Sequence, residues 1–264
     1  SSDTILQQVR KGVFGTLHVM TENTSKSTRF SRFIELLFLL VDFHELIGVV
    51  VLPDAGWHAG LVSALESVSL QSVVTLRATF TLFLIAYAVV MLVTVACIVD
   101  AAYVSYSFQT NTHRVLWPVK ALVLLAKFFI TAGFIPTLSV LIMPFRCGFV
   151  TGLDGGPSAC TSPSMILLMV ASGATVAAFL PMCLVVTLVD FERDPHSRQL
   201  KAAPLGRGEF WYTMIRAALV FLNAAALAPA TRALVITVLL LVIVGYFVLF
   251  LPFYKKWING LRCG

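Results

Sequence analysis

The stretch Ala233–Leu251 reads ALVITVLLLVIVGYFVLFL, nineteen residues without a charge, closed by Pro252. At 1.5 Å of rise per residue, a helix of this length spans roughly 28 Å, close to the hydrocarbon thickness of a bilayer. It has no polar stripe to turn toward water. In lipid it needs none, because a helix satisfies its own backbone N–H and C=O groups. Outward from here the pattern repeats. Phe33–Leu52 is stopped by Pro53-Asp54, Ala78–Val99 follows, and Ala121–Met143 is stopped by Pro144. Met165–Val189 and Phe210–Ala228 complete the set, the latter short and interrupted by Arg216 and Asn223. The sequence predicts an all-α integral membrane protein with about six transmembrane helices.

Composition agrees. Only 12% of the 264 residues are charged, about half the share of an ordinary soluble domain, and the mean hydropathy is +0.90. The net charge of +6 is held in short segments between apolar runs. That is how topology signals are distributed, and it argues against a solvated nucleic-acid-binding face. Two weaker apolar segments, Val13–Met20 and Trp57–Leu76, are expected to be one or two interfacial helices lying along the membrane surface. The organisation read from this is a cytoplasmic N-terminal segment over 1–32, a six-helix membrane domain over 33–252 and a basic cytoplasmic tail over 253–264. The absence of an initiator Met and the abrupt end after a basic segment lead us to expect a piece of a longer protein.

Lys and Arg set the orientation. Fourteen fall on one side: Arg10, Lys11, Lys26, Arg29, Arg32, Arg114, Lys120, Arg193, Arg198, Lys201, Arg207, Lys255, Lys256 and Arg262. Arg77, Arg146 and Arg232 fall on the other, while Lys127 and Arg216 lie inside spans. The positive-inside rule then makes both termini cytoplasmic. Trp57, Trp117, Trp211 and Trp257 all fall at predicted helix ends, where an interfacial belt would hold them. Cys147 and Cys160 share the third-to-fourth connection, on the outer side, and are expected to form a disulfide across a Gly-rich loop. Cys97 and Cys183 lie within spans and read as small apolar residues, while Cys263 on the inner side reads as a plain thiol or a lipidated one. The glycosylation-like triplet Asn23-Thr24-Ser25 falls inside under this topology and reads as accidental.

Ionisable groups inside a span are costly and invite a functional reading. The first helix carries Glu35, Asp42, His44 and Glu45, with Glu35 and Asp42 seven apart on one face and separated by roughly 10 Å in height. The third carries Lys127, and the fifth carries Arg216 and Asn223, again seven apart. Helices one, three and five run from inside to outside, which sets Glu35, Lys127 and Arg216 at similar depth. The expectation is a polar column with Glu35 neutralised by Lys127 or Arg216, and with Asp42, His44 and Glu45 facing a hydrated cavity that binds a cation or relays protons. The competing reading is buried pairs that fix helix packing, with Lys127 snorkelling. Pro136 and Pro181 interrupt the third and fourth helices, as gating hinges or as tolerated kinks. Ala171-Ser172-Gly173-Ala174-Thr175 offers a small-residue surface for close helix packing. Asp190–Pro195 lacks the Gly and closing Glu of a calcium loop and reads as a helix end. There is no GxxxxGK[ST], GxSxG, HExxH or paired CxxC, so no catalytic residue, cofactor or metal site is expected.

Several stretches carry a family resemblance in order along the chain. They are Gly12-Val13-Phe14-Gly15, Trp117-Pro118, Phe134-Ile135-Pro136-Thr137-Leu138 leading to Cys147, Asp190 to Pro195, and Pro252-Phe253-Tyr254-Lys255-Lys256-Trp257-Ile258-Asn259 to Arg262. Together they resemble the N-terminal multi-spanning region of tiny macrocysts protein B-like proteins. The resemblance implies the membrane region of a much larger protein, often followed by PAS-type sensory modules. It brings no catalytic residues. The expected function is a non-enzymatic membrane module of a sensory or signalling protein, in the plasma membrane or an extension of it. Its partners would be the bilayer, attached cytoplasmic domains and other membrane subunits, in a homo- or hetero-oligomer. The alternative is an ion channel subunit or cation-coupled transporter using the acids of the first helix.

Overall fold

Helix boundaries in this chain are set by a few residues with the right chemistry. Ser162 accepts a hydrogen bond on its Oγ from the N–H of Met165 (3.4 Å), and Pro163 takes the first helical position, where a missing N–H costs nothing. Pro229 opens another helix in the same way, with the Arg232 N–H reaching back to the Ala228 carbonyl at 3.0 Å. The computed structural model describes residues 29–50, 60, 62–64, 80–110, 117–145, 162–189, 207–225, 228–250, 253–254 and 258. Among them there is no strand. The helices are α1 (Arg29–Val50), α2 (Phe80–Thr110), α3 (Trp117–Ile130), α4 (Phe134–Ile142), α5 (Pro163–Val189), α6 (Arg207–Ala224) and α7 (Pro229–Phe250), with a 3-10 turn, Met143–Phe145, after α4.

Three of these are long and apolar enough to cross a membrane, over Phe83–Ser107, Pro163–Leu188 and Pro229–Phe250. A fourth candidate is the pair Ala121–Ile130 and Phe134–Phe145, bent by 75° at a short break. Their outward faces are apolar: Leu92, Leu167 and Leu249 are each more than 70% exposed, with many neighbours like them. A water-soluble surface does not carry so much contiguous apolar area. α1 and α6 are helical where spans were expected, but their charges separate them from this class. The proposed interfacial segment Val13–Met20, Cys147, Cys160, Cys263 and the Asn23 triplet lie outside the described residues. Of Trp57–Leu76 only Gly60 and Val62–Ala64 are described, as helix.

The expected single helix over Ala121–Met143 is two helices. Pro136 has no N–H to give the Ala132 carbonyl, and its ring crowds that carbonyl. The chain responds a turn earlier: the Gly133 N–H reaches back five residues to Phe128 O at 2.8 Å. Gly133 is required here by close approach, since a Cβ would lie 2.5 Å from Phe128 Cε1. Pro136 itself then sits in the first turn of α4, where its missing donor is harmless. Pro181 behaves differently, because α5 runs through it unbroken.

α4 is apolar on all sides and buried on nearly all sides, as such a helix must be. It packs against α1, α2, α3, α5 and α6, so the core is arranged around a helix of little more than two turns. Phe134, Ile135, Leu138 and Leu141 are almost completely inaccessible. α7 lies at the edge, against α6. Tyr87 of α2 and Ser172 of α5 share a buried hydrogen bond of 2.6 Å between their hydroxyls. The small-residue run of α5 is therefore divided: Ser172 and Thr175 are buried, whereas Ala174, Ala177 and Ala178 face outward.

Candidate functional site

A broken helix leaves carbonyls without donors, and in an apolar setting each bare carbonyl is costly. At the α3–α4 break the Ile130 carbonyl is left so, while that of Thr131 keeps only a long contact from the Phe134 N–H at 3.4 Å. Arg216 of α6 supplies the donors. Its Nη2 donates to Ile130 O at 2.7 Å and to Thr213 Oγ1 at 3.1 Å. Its Nη1 donates to Thr131 O at 3.4 Å and to Asp42 Oδ1 of α1. The other Asp42 oxygen accepts from the Tyr212 hydroxyl at 3.1 Å. The guanidinium carbon also lies 4.8 Å from the Phe134 ring centroid and 4.6 Å from that of Tyr212. Arg216 thus meets a carboxylate, the negative end of the α3 dipole and two ring faces, each of which favours a cation.

The pair is dry. Arg216 is 0% exposed and Asp42 1%, so both charges are shut away from bulk solvent. One guanidinium joins α1, the α3–α4 break and α6. A second rung lies seven residues further along both partners, where Asn223 Nδ2 donates to Val49 O at 3.2 Å. Asp42 with Arg216 and Val49 with Asn223 make α1 and α6 parallel neighbours in a fixed register.

That register differs from the expected one by two turns. Arg216 was set at the level of Glu35; it stands at Asp42, roughly 10 Å further along α1. Glu35 is half-buried near the start of α1, and Lys127 is half-buried one turn before the break. Glu45 is buried at 1% exposure. His44 is half-buried, and its Nε2 has no hydrogen-bond partner among the described residues. Of the acids expected to form a column, Asp42 and Glu45 are buried, with Asp42 committed to Arg216 and Tyr212.

Sequence reasoning missed Tyr212, Thr213 and Phe134. A signal existed for the first two: they precede Arg216 by four and three residues, which puts them on its face of the helix. Nothing in α6 announces Phe134 or the carbonyls of Ile130 and Thr131, which come from a distant break. Cys97 and Cys183 are both buried free thiols. Among the described residues no three His, Cys, Asp or Glu side chains converge as a metal ion requires. The site's chemistry is that of a charge-stabilised junction among helices.

No protein-family model matches the chain, and comparison with curated proteins and with solved structures finds no similar one.

Proposed function

We propose that the chain is a non-enzymatic polytopic membrane module that anchors and couples cytoplasmic domains of a larger sensory or signalling protein. The observation that carries this reading is a line of contacts from the segment after α7 to the buried ion pair. Phe253, just beyond α7, is buried and stacks on Phe247 with centroids 6.0 Å apart. Phe247 meets Tyr212 edge-on at 5.9 Å, and Tyr212 holds Asp42, the partner of Arg216. A displacement of the tail has a packed route to the junction of α1, α3, α4 and α6.

In this reading all six helical segments cross the bilayer, α3 and α4 as one broken span and α1 and α6 with their charges neutralised inside. The Lys and Arg distribution supports cytoplasmic termini in the plasma membrane or an extension of it. The Cys147–Cys160 disulfide closes the outer loop, and further subunits or a second copy complete the assembly. The stretches that resemble tiny macrocysts protein B-like proteins support attached sensory domains. The ion channel or cation-coupled transporter alternative needs water at Asp42 and Glu45; their burial weighs against it.

The test is a thermodynamic cycle combining Phe253→Ala with Tyr212→Phe, in the protein reconstituted in bilayers. Coupling through a packed network amounts to about 0.5–2 kcal/mol, read as non-additive unfolding free energies. Additive effects would refute the route. Cation flux in liposomes that collapses in Asp42→Asn would replace the coupling function with transport.

A further inference from the structure

α6 and α7 leave an apolar groove between them on the outward face of the molecule. Trp211 and Ile215 of α6 and Val242 and Tyr246 of α7 form its walls, with Tyr212 and Phe247 at the floor. Trp211 and Val242 are each more than half exposed, whereas Tyr212 and Phe247 are buried. The groove's volume is about 100 Å³, well below the roughly 300 Å³ at which sites for drug-sized ligands begin. It is too small for a drug-sized soluble molecule. It can seat a length of hydrocarbon chain that remains continuous with the bilayer.

The rim is charged. Arg207 is exposed and lies one turn before Trp211, on the same face of α6. Only four residues separate α6 from α7, so the two pack antiparallel and the far end of α7 returns beside the start of α6. Tyr246 is thereby brought within the electrostatic reach of Arg207. A greasy trough walled by Trp211 and Tyr246, with an exposed guanidinium one turn before Trp211, matches an apolar tail with an anionic head, and guanidinium suits phosphate in particular.

We propose that this groove binds an anionic phospholipid, with an acyl chain along Trp211 and Tyr246 and the phosphate at Arg207. The site rests on the membrane-embedded reading given above and adds to it a means of regulation. Its floor residue Tyr212 is the one that donates to Asp42, so an occupied groove bears on the buried junction.

The test uses the whole chain in a W57F/W117F/W257F background, where Trp211 is the sole indole. The protein is reconstituted in phosphatidylcholine vesicles with a minor fraction of phosphatidylglycerol, and acyl-chain bromine on one lipid at a time quenches the indole it touches. Brominated phosphatidylglycerol should quench Trp211 as if enriched about fivefold over its bulk fraction, the equivalent of the roughly 1 kcal/mol from one basic side chain at an anionic surface. Arg207→Gln should abolish the enrichment and Arg207→Lys retain it. Leu249→Trp with Trp211→Phe reports general lipid contact, because Leu249 is 78% exposed. Equal quenching of Trp211 by both lipids at matched fractions refutes the site, and a quenched Leu249→Trp then leaves the membrane reading intact. Quenching of Leu249→Trp with none of Trp211 puts a protein surface over the groove and also refutes it. Quenching at neither position by any lipid removes the membrane reading itself.

Discussion

Removing either half of the Asp42–Arg216 pair should be far more damaging than removing both. Asp42→Asn leaves a fully buried guanidinium holding the Ile130 and Thr131 carbonyls and Thr213, with no countercharge. Breaking a buried pair from one side costs about 3–5 kcal/mol; the carbonyl contacts that remain place this variant near the lower end. Arg216→Met takes the cation from the Asp42 carboxylate and also bares the Ile130 carbonyl, which adds about 1 kcal/mol. That variant belongs at the upper end or beyond. The double substitution Asp42→Leu with Arg216→Met removes both charges and retains only the Ile130 carbonyl penalty and the loss of the Tyr212–Asp42 hydrogen bond, about 2 kcal/mol. The cycle should therefore return a favourable coupling on the order of 3 kcal/mol or more. Unfolding free energies in a bilayer or mixed micelle provide the assay, with Asp42→Leu alone as the fourth corner. If the double variant loses the sum of the two single losses, the pair does not interact as described and the junction has been misassigned.

Two further substitutions test the packing around that junction. Gly133→Ala puts a methyl group into the Phe128 ring at the break, an overpacking worth about 1–3 kcal/mol; thermal unfolding should drop, and Phe128→Leu in the same chain should restore much of it. Ser172→Ala removes the hydroxyl bonded to Tyr87, a loss of about 1 kcal/mol; adding Tyr87→Phe should cost little more, and a further full loss in Tm would show the hydroxyls act separately.

Most of the helices were legible because their apolar runs start or stop at a proline, a charge cluster or a cap, and such boundaries act locally; α2 instead runs on through Asp100 to Thr110. The break after Ile130 was half legible: Pro136 marks where a helix cannot continue, but whether it bends slightly or parts by 75° depends on what receives the freed carbonyls. The pairing was not legible, for a reason contained in the spacing itself. Glu35 and Asp42 are seven apart, and so are Arg216 and Asn223, so two registers of α1 against α6 put the same faces together. The choice between them is made by Ile130, whose bare carbonyl calls for a donor at the depth of Asp42. That information resides in a third helix.

The cap on the α3–α4 break also has a consequence for assembly in time. Arg216 lies 86 residues after Ile130, and at synthesis rates of about 5–20 residues per second it leaves the ribosome roughly 4–17 seconds later. Throughout that interval the first five helices hold a fractured segment whose Ile130 carbonyl has no permanent donor, and Asp42 awaits its counterion. The nascent membrane domain is thus unfinished in a defined place until α6 arrives. A chain cut short after α5 would keep that defect for its whole lifetime, as an exposed mark for the chaperones and proteases that survey newly inserted proteins.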